Sequence, residues 1–204
     1  TLGDLMSQAL TDLISLLTLE CSGEHRFIGK GSTGDGAAAT YGGHFLGQAI
    51  SAALHDSDAT FMLHSMHGYF LRGGVPNQPI VYDVQTIREG RSFCTKRVIA
   101  SQENQINFEL LASFNKKESG KNFESIATTD LSHITLPENI EPYRDIMAKL
   151  DPLPLPEEWA LREHGIDVRI VNAPWASGGL SQQGGINMWI KANGLAPPAP
   201  KLHA

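Results

Sequence analysis

Cysteine is scarce in this chain of 204 residues. There are two, Cys21 and Cys94, far apart and with no CxxC pair. That excludes a thiolate zinc site and a disulfide scaffold, and it makes a reducing compartment the expected setting. Positive charge is also short: 16 Lys and Arg stand against 22 Asp and Glu, a net charge of −6. This balance argues against a general nucleic-acid binder, although a local Arg and Lys cluster could still hold an anion. No apolar run approaches the length of a membrane span. Residues 1–19 hold Asp4 and Asp12 and no Lys or Arg, so they do not read as a secretory signal. The chain begins at Thr1, and Met6 is read as the natural first residue. The hydrolase turn G-x-S-x-G is absent, as is any alternation of strands with helices, which speaks against an α/β-hydrolase.

What is present is a globular composition, 41% hydrophobic and 19% charged, unlike that of a disordered chain. Leu5, Ala9, Leu13, Leu16 and Leu17 fall at helical spacing and predict a short leading helix within 4–19. The glycine-rich stretch 29–36 reads as loop and lacks the pattern of a phosphate loop. Over 41–57, Leu46, Ala49, Ile50, Ala53 and Leu54 form one apolar stripe, so a longer helix is expected there. Strand patterns follow at 61–72, 80–88, 92–100 and 106–114, joined by short polar turns. In the last of these, Ile106, Phe108, Leu110, Ala112 and Phe114 alternate and are expected on one face. A long helix followed by an antiparallel sheet defines an α+β fold. Beyond Phe114 the chain turns polar and then rich in Pro and Gly, with one more strand-like run at 186–192. A connection of that length is unusual inside a compact domain and suggests a link to something further.

Few side chains stand out as chemical groups. His64 and His67 are three apart, which on a regular strand places them on opposite faces and argues against a shared metal. Each reads more simply as a packed or hydrogen-bonded histidine. His44, in the first turn of the glycine-rich helix, is a better site candidate by position. Gly42 and Gly43 at that helix start could hold a carbonyl oxygen as it gains charge, through free N–H groups and the helix dipole. The plainer reading is close packing of the helix against the sheet. Arg72, Arg88, Arg91, Lys96 and Arg97 crowd the strand region and would suit a nucleotide's phosphates, or else form a solvated sheet face. Cys94 has no base that can be placed beside it and reads as packing.

Several segments together resemble the N-terminal half of the TesB-type (type II) acyl-CoA thioesterases: MSQALTDLISLLTLE, YGGHFLGQAISAA, HSMHGYFLRGG, PIVYDVQTIREGRSF and KRVIASQENQINFELLASF. The run INMWIKANG resembles the first strand of that family's second domain. The resemblance implies a double hotdog, in which each half is a long helix wrapped by a curled antiparallel sheet. It divides the chain into a hotdog domain with its leading helix at 1–115, a linker at 116–185, and the first strand and turn of a second hotdog at 186–204. It implies hydrolysis of acyl-CoA to a free fatty acid and CoA, with no metal and no cofactor. In that family an Asp, a Ser or Thr and a Gln orient water, and backbone amides hold the oxyanion. By the same resemblance those three side chains are expected beyond Ala204, so this chain alone is expected to be weak or inactive. What carries over is the helix start with Gly42, Gly43 and His44 on the substrate side, Arg97 in its S-F-x-x-[RK]-R-V pattern, and His64 as a candidate catalytic residue. The loop at 31–40 is richer in Gly and Ala than the family pattern leads one to expect. Pairing of hotdogs into a homo-oligomer is expected, as is a cytoplasmic location, or a peroxisomal one in a eukaryote. The competing readings are a non-catalytic acyl-CoA-binding or dimerisation module, and a hydratase-type hotdog enzyme. The latter would call for an Asp at the helix start, which is missing here.

Overall fold

A computed structural model describes residues 6–33, 38–121, 135–153, 157–171 and 187–196. The polar stretch at 122–130, the Gly-Gly pairs at 178–185 and the Pro-rich end at 197–204 lie outside the described residues. Among those described, residues 13–33 and 38–120 form one compact unit, and residues 6–12 with those from 121 to 196 form the other.

The larger unit is built on one long helix and a six-stranded sheet. Helix α1 (Gln8–Leu17) begins where the Ser7 hydroxyl accepts the Leu10 N–H at 3.1 Å, a side-chain cap for an exposed helix start. It leads into the short hairpin β1 (Glu20–Gly23) and β2 (Arg26–Gly29). Helix α2 (Gly42–His55) follows, and its stripe Phe45, Ala49, Ile50, Ala52 and Ala53 is fully buried. Strands β3 (Phe61–Phe70), β4 (Ile80–Glu89), β5 (Phe93–Gln102) and β6 (Gln105–Lys116) complete an antiparallel sheet. Its order is β1-β2-β4-β5-β6-β3. The helix lies on the sheet's inner face, where Tyr82, Val98, Ala100, Phe108, Leu110, Ala112 and Phe114 close the core around it. Long helix and wrapped antiparallel sheet together are the α+β arrangement the hydrophobic periodicities predict.

The described sheet has four register shifts, and two of them alter the expected faces. On β6 the pairing steps from Ala100↔Phe108 to Ser101↔Ile106, so Asn107 is the extra residue. Phe108, Leu110, Ala112 and Phe114 keep the inner face, but Ile106 is thrown out to 38% exposure, against the expected alternation. On β3 the extra residue is His64, between Leu63↔Phe114 and Ser65↔Ser113. It shifts the parity of the strand, and His64 and His67 both come to the outer face rather than to opposite ones. No group of three His, Cys, Asp or Glu placed to hold a metal occurs among the described residues.

Buried polar groups brace the helix. Gln48 is wholly buried; its amide donates to Leu16 O (2.7 Å) and Lys30 O (3.1 Å) and accepts the Tyr82 hydroxyl at 2.9 Å. At the other end, Asp56 caps α2 and takes Lys96 Nζ on its carboxylate and, at 2.6 Å, on its backbone carbonyl. Thr86 Oγ1, at 3.2 Å, is the third acceptor, so all three ammonium donors are used. Burial of an ion pair is tolerable only with such complete bonding.

The second unit has its own secondary structure within the region read as linker. A 3-10 turn (Pro137–Asn139), α3 (Tyr143–Met147) and α4 (Glu157–Ala160) precede β7 (Ile166–Ile170). β7 pairs with β8 (Met188–Ala192) in antiparallel register, Ile166↔Ala192 to Ile170↔Met188. Arg169 Nη1 donates to both Pro137 O and Ile140 O at 2.9 Å, which ties the turn to β7. Met188, Trp189 and Ile190 on β8 remain exposed.

Candidate active site at the start of the long helix

The start of α2 opens onto a cavity of about 400 Å³ lined by Thr40, Gly42, Phe45, Phe70, Leu71, Arg72 and Gly73. Its position follows from local structure. Tyr41 at the N-cap is extended and provides no side-chain acceptor, so the helix's first N–H groups are uncapped. Glycine at 42 lets the Phe70 ring lie against the helix start, since a Cβ there would come within 2.9 Å of the ring and push it aside. Phe45 (2% exposed) lines the floor and Phe108 (0%) lies behind it, and the Phe70 ring meets Phe108 tilted by 40° with centroids 4.8 Å apart. Phe70 itself is 59% exposed and forms an apolar wall open to solvent.

The wall at 71–73 is held by the β6 bulge. Asn107 O accepts Leu71 N (2.8 Å) and Arg72 N (3.1 Å). The Asn107 amide donates to Gly73 O at 3.1 Å and accepts Gln102 N at 3.0 Å. Gln102 in turn exchanges bonds with Val75 N–H and C=O and donates to Gln78 O. Both amides are buried, so the loop after β3 is fixed by polar groups that have no water to turn to.

The residues picked from the sequence are not gathered in one place. Gly42 lines the cavity and Gly43 adjoins it on the helix. His44 faces the other way: it is buried, and its Nε2–H donates to Lys30 O at 2.8 Å. Burial holds its pKa below the ordinary histidine value, so near neutral pH the ring is uncharged. Arg97 sits on the sheet's outer face, opposite the helix, where Nε donates to Glu109 at 2.7 Å. That bond raises the guanidinium pKa and lowers the Glu109 carboxyl. His64 is also on the outer face. Its Nε2 lies 2.9 Å from Ser113 Oγ and its ring meets Phe93 edge-on at 5.8 Å. No carboxylate orients the His64 ring from behind among the described residues, so this hydroxyl and imidazole lack the third member of a hydrolytic triad.

The suggested basic cluster is likewise divided. Lys96 points inward to Asp56, Arg97 outward to Glu109, and Arg72 alone reaches the cavity. Cys94 is buried and its thiol is pushed up by desolvation, which leaves it unreactive. Sequence reasoning does not single out Phe70, Leu71 or Thr40 as site residues. Only the register of β3 against β6 brings them to the helix start, and no local motif announces that.

A long helix wrapped by an antiparallel sheet of this order defines a hotdog-type protein. Residues 30–115 match the family model for the acyl-CoA thioesterase N-terminal domain. Acyl-CoA thioesterase 2 of Haemophilus influenzae is 34% identical over 196 residues, covering 94% of this chain and 66% of that protein. The structure of the acyl-CoA thioesterase II TesB2 from Mycobacterium marinum superposes with a TM-score of 0.66 at 26% identity, covering 93% of this chain and 63% of that one. A hot dog fold protein of Alicyclobacillus acidocaldarius shares the fold at a TM-score of 0.60 and 16% identity, covering 82% of this chain and 56% of that one. The chain therefore belongs to the TesB-type acyl-CoA thioesterase family, and it spans just under two thirds of the length of these relatives.

Proposed function

We propose that this chain binds acyl-CoA and serves its hydrolysis to a free fatty acid and CoA, with the thioester carbonyl seated at the start of α2. The carrying observation is the cavity itself. It joins an uncapped helix start at Gly42 and Gly43 to an apolar wall of Phe45, Phe70 and Leu71. Water attacks the carbonyl carbon and forms a C–O bond; the carbonyl oxygen takes the negative charge and accepts hydrogen bonds from the helix N–H groups. Collapse of this intermediate breaks the C–S bond. The sulfur leaves with the electron pair and takes a proton, giving the free thiol and the acid.

Among the described residues the lining holds no carboxylate and no glutamine, and we place the groups that activate water outside these residues. This favours a second reading of the isolated chain, that of an acyl-CoA-binding module without turnover. We place the protein in a reducing compartment, the cytoplasm in the simplest case, on account of its two free cysteines. No described helix is long and apolar enough to cross a membrane.

The full chain is incubated with medium- and long-chain acyl-CoA, release of free thiol is followed, and binding is measured in parallel. Exposed Cys21 is replaced by Ser so that it does not consume the thiol reagent. Binding with release establishes the hydrolase, and binding without release establishes the module. Absence of binding to any acyl-CoA refutes both.

A further inference from the structure

Arg72 lines the cavity, yet the hydrolysis just described gives it no task. It is an exposed cation whose presentation is built from buried parts. Nη1 donates to Ile106 O at 2.9 Å, and the backbone on both sides is latched to Asn107 at the β6 bulge. Among the described residues it has no carboxylate partner, unlike Arg97 and Lys96. A guanidinium carries five donors, and the bond to Ile106 uses one. The others are free to meet an acceptor at the mouth of the cavity.

We infer that Arg72 is a substrate-binding residue that donates to the amide carbonyl of the pantetheine arm next to the thioester. The inference rests on the acyl-CoA reading. Three features select this acceptor. The acyl tail is hydrocarbon and fits the wall of Phe45, Phe70 and Leu71, not a cation. The nucleotide phosphates are separated from the thioester by the whole pantetheine arm, whereas Arg72 and Gly42 share one cavity of about 400 Å³. The first amide of the arm lies two carbons beyond the sulfur, within reach of a donor that sits beside the carbonyl site. A charge-assisted bond there would also fix the direction in which the substrate lies, tail toward Phe70 and arm toward solvent.

The test uses the full chain and two non-hydrolysable thioether probes, one with the complete CoA and one ending at pantetheine. Dissociation constants are measured for the wild type, Arg72→Met and Arg72→Lys, with melting temperature as the check on folding. Arg72→Met is expected to weaken both probes by a similar factor, roughly ten- to a hundredfold, with an unchanged melting temperature. Arg72→Lys is expected to stay weaker than wild type, because a single ammonium cannot hold Ile106 O and the substrate with the planar fork of arginine. If both variants bind like wild type, the role of Arg72 is wrong while the acyl-CoA reading stands. A loss confined to the CoA probe would assign Arg72 to the phosphates and overturn the inference. If the wild type binds neither probe, the acyl-CoA reading falls and takes the inference with it.

Discussion

Two histidines give this protein opposite responses to pH. His44 is buried, and desolvation lowers its pKa from 6.5. The unfolded chain then binds more protons than the folded one between the lowered value and 6.5, so stability falls as the pH drops through that window. His25 is bonded to Asp56, which raises its pKa above 6.5. Here the folded chain binds more protons, and stability falls as the pH rises from 6.5 through the raised value. The pair predicts a shallow maximum of melting temperature near pH 6.5. His44→Gln should flatten the acid side and His25→Gln the alkaline side; a profile unchanged in both variants would refute the assignment. At this scale the sequence shows His44 near the helix start but not which way the ring faces. The direction depends on Lys30 O, fourteen residues earlier, and on the loop that brings it there. For Lys96 and Arg97, strand alternation alone already separates the two charges, one inward and one outward. Their closeness in sequence is therefore misleading about closeness in space.

The elements themselves are plain in the sequence because each has a clean period. α2 and strands β3 to β6 lie within a few residues of where the apolar spacing places them. The bulges do not show, since an extra residue leaves composition unchanged and alters only parity. Their packing makes specific demands. Gly68 on β3 lies over the Phe108 ring, and a Cβ there would be 2.7 Å from it. Phe108 is fully buried and has nowhere to retreat. Gly68→Ala is expected to destabilise the protein by about 1–3 kcal/mol through overpacking. Gly23→Ala on β1, where a Cβ would sit 3.7 Å from its nearest neighbour, should be close to neutral. Chemical denaturation of the two variants decides it, and equal midpoints would mean that the β3–β6 contact has room for a methyl group. Phe108 also meets the ring of Phe70 on the cavity wall, so crowding at Gly68 bears on the shape of that wall through Phe108.

Among the described residues, the sheet of the larger unit ends in an open edge at β3. Among these residues β3 is the last strand of the order, paired with β6 on one side only, and Met62, Met66, Tyr69 and Phe70 along it are all more than 40% exposed. An unpaired apolar edge is a template for another strand. The proposed homo-oligomer follows from this edge. Light scattering at micromolar concentration is expected to give a mass above the 22.2 kDa of one chain. Tyr69→Lys, which sets a charge on the edge, is expected to shift that mass toward the monomer. A monomeric wild type would count against pairing through β3. The net charge of −6 opposes association only weakly at physiological salt, where exposed charges are screened within about 8 Å.

The environment of Lys96 has a chemical corollary. A lysine attacks acylating reagents only as a free amine in contact with solvent. The Lys96 nitrogen is buried, and each of its three hydrogens is committed to Asp56 or Thr86. Every exposed lysine on the surface is modified at a rate set by the reagent. Lys96 is expected to be modified only at the rate at which its contacts with Asp56 and Thr86 open. The residue is thus a built-in clock: its slow labelling against the fast background of the others times that opening, with no probe introduced.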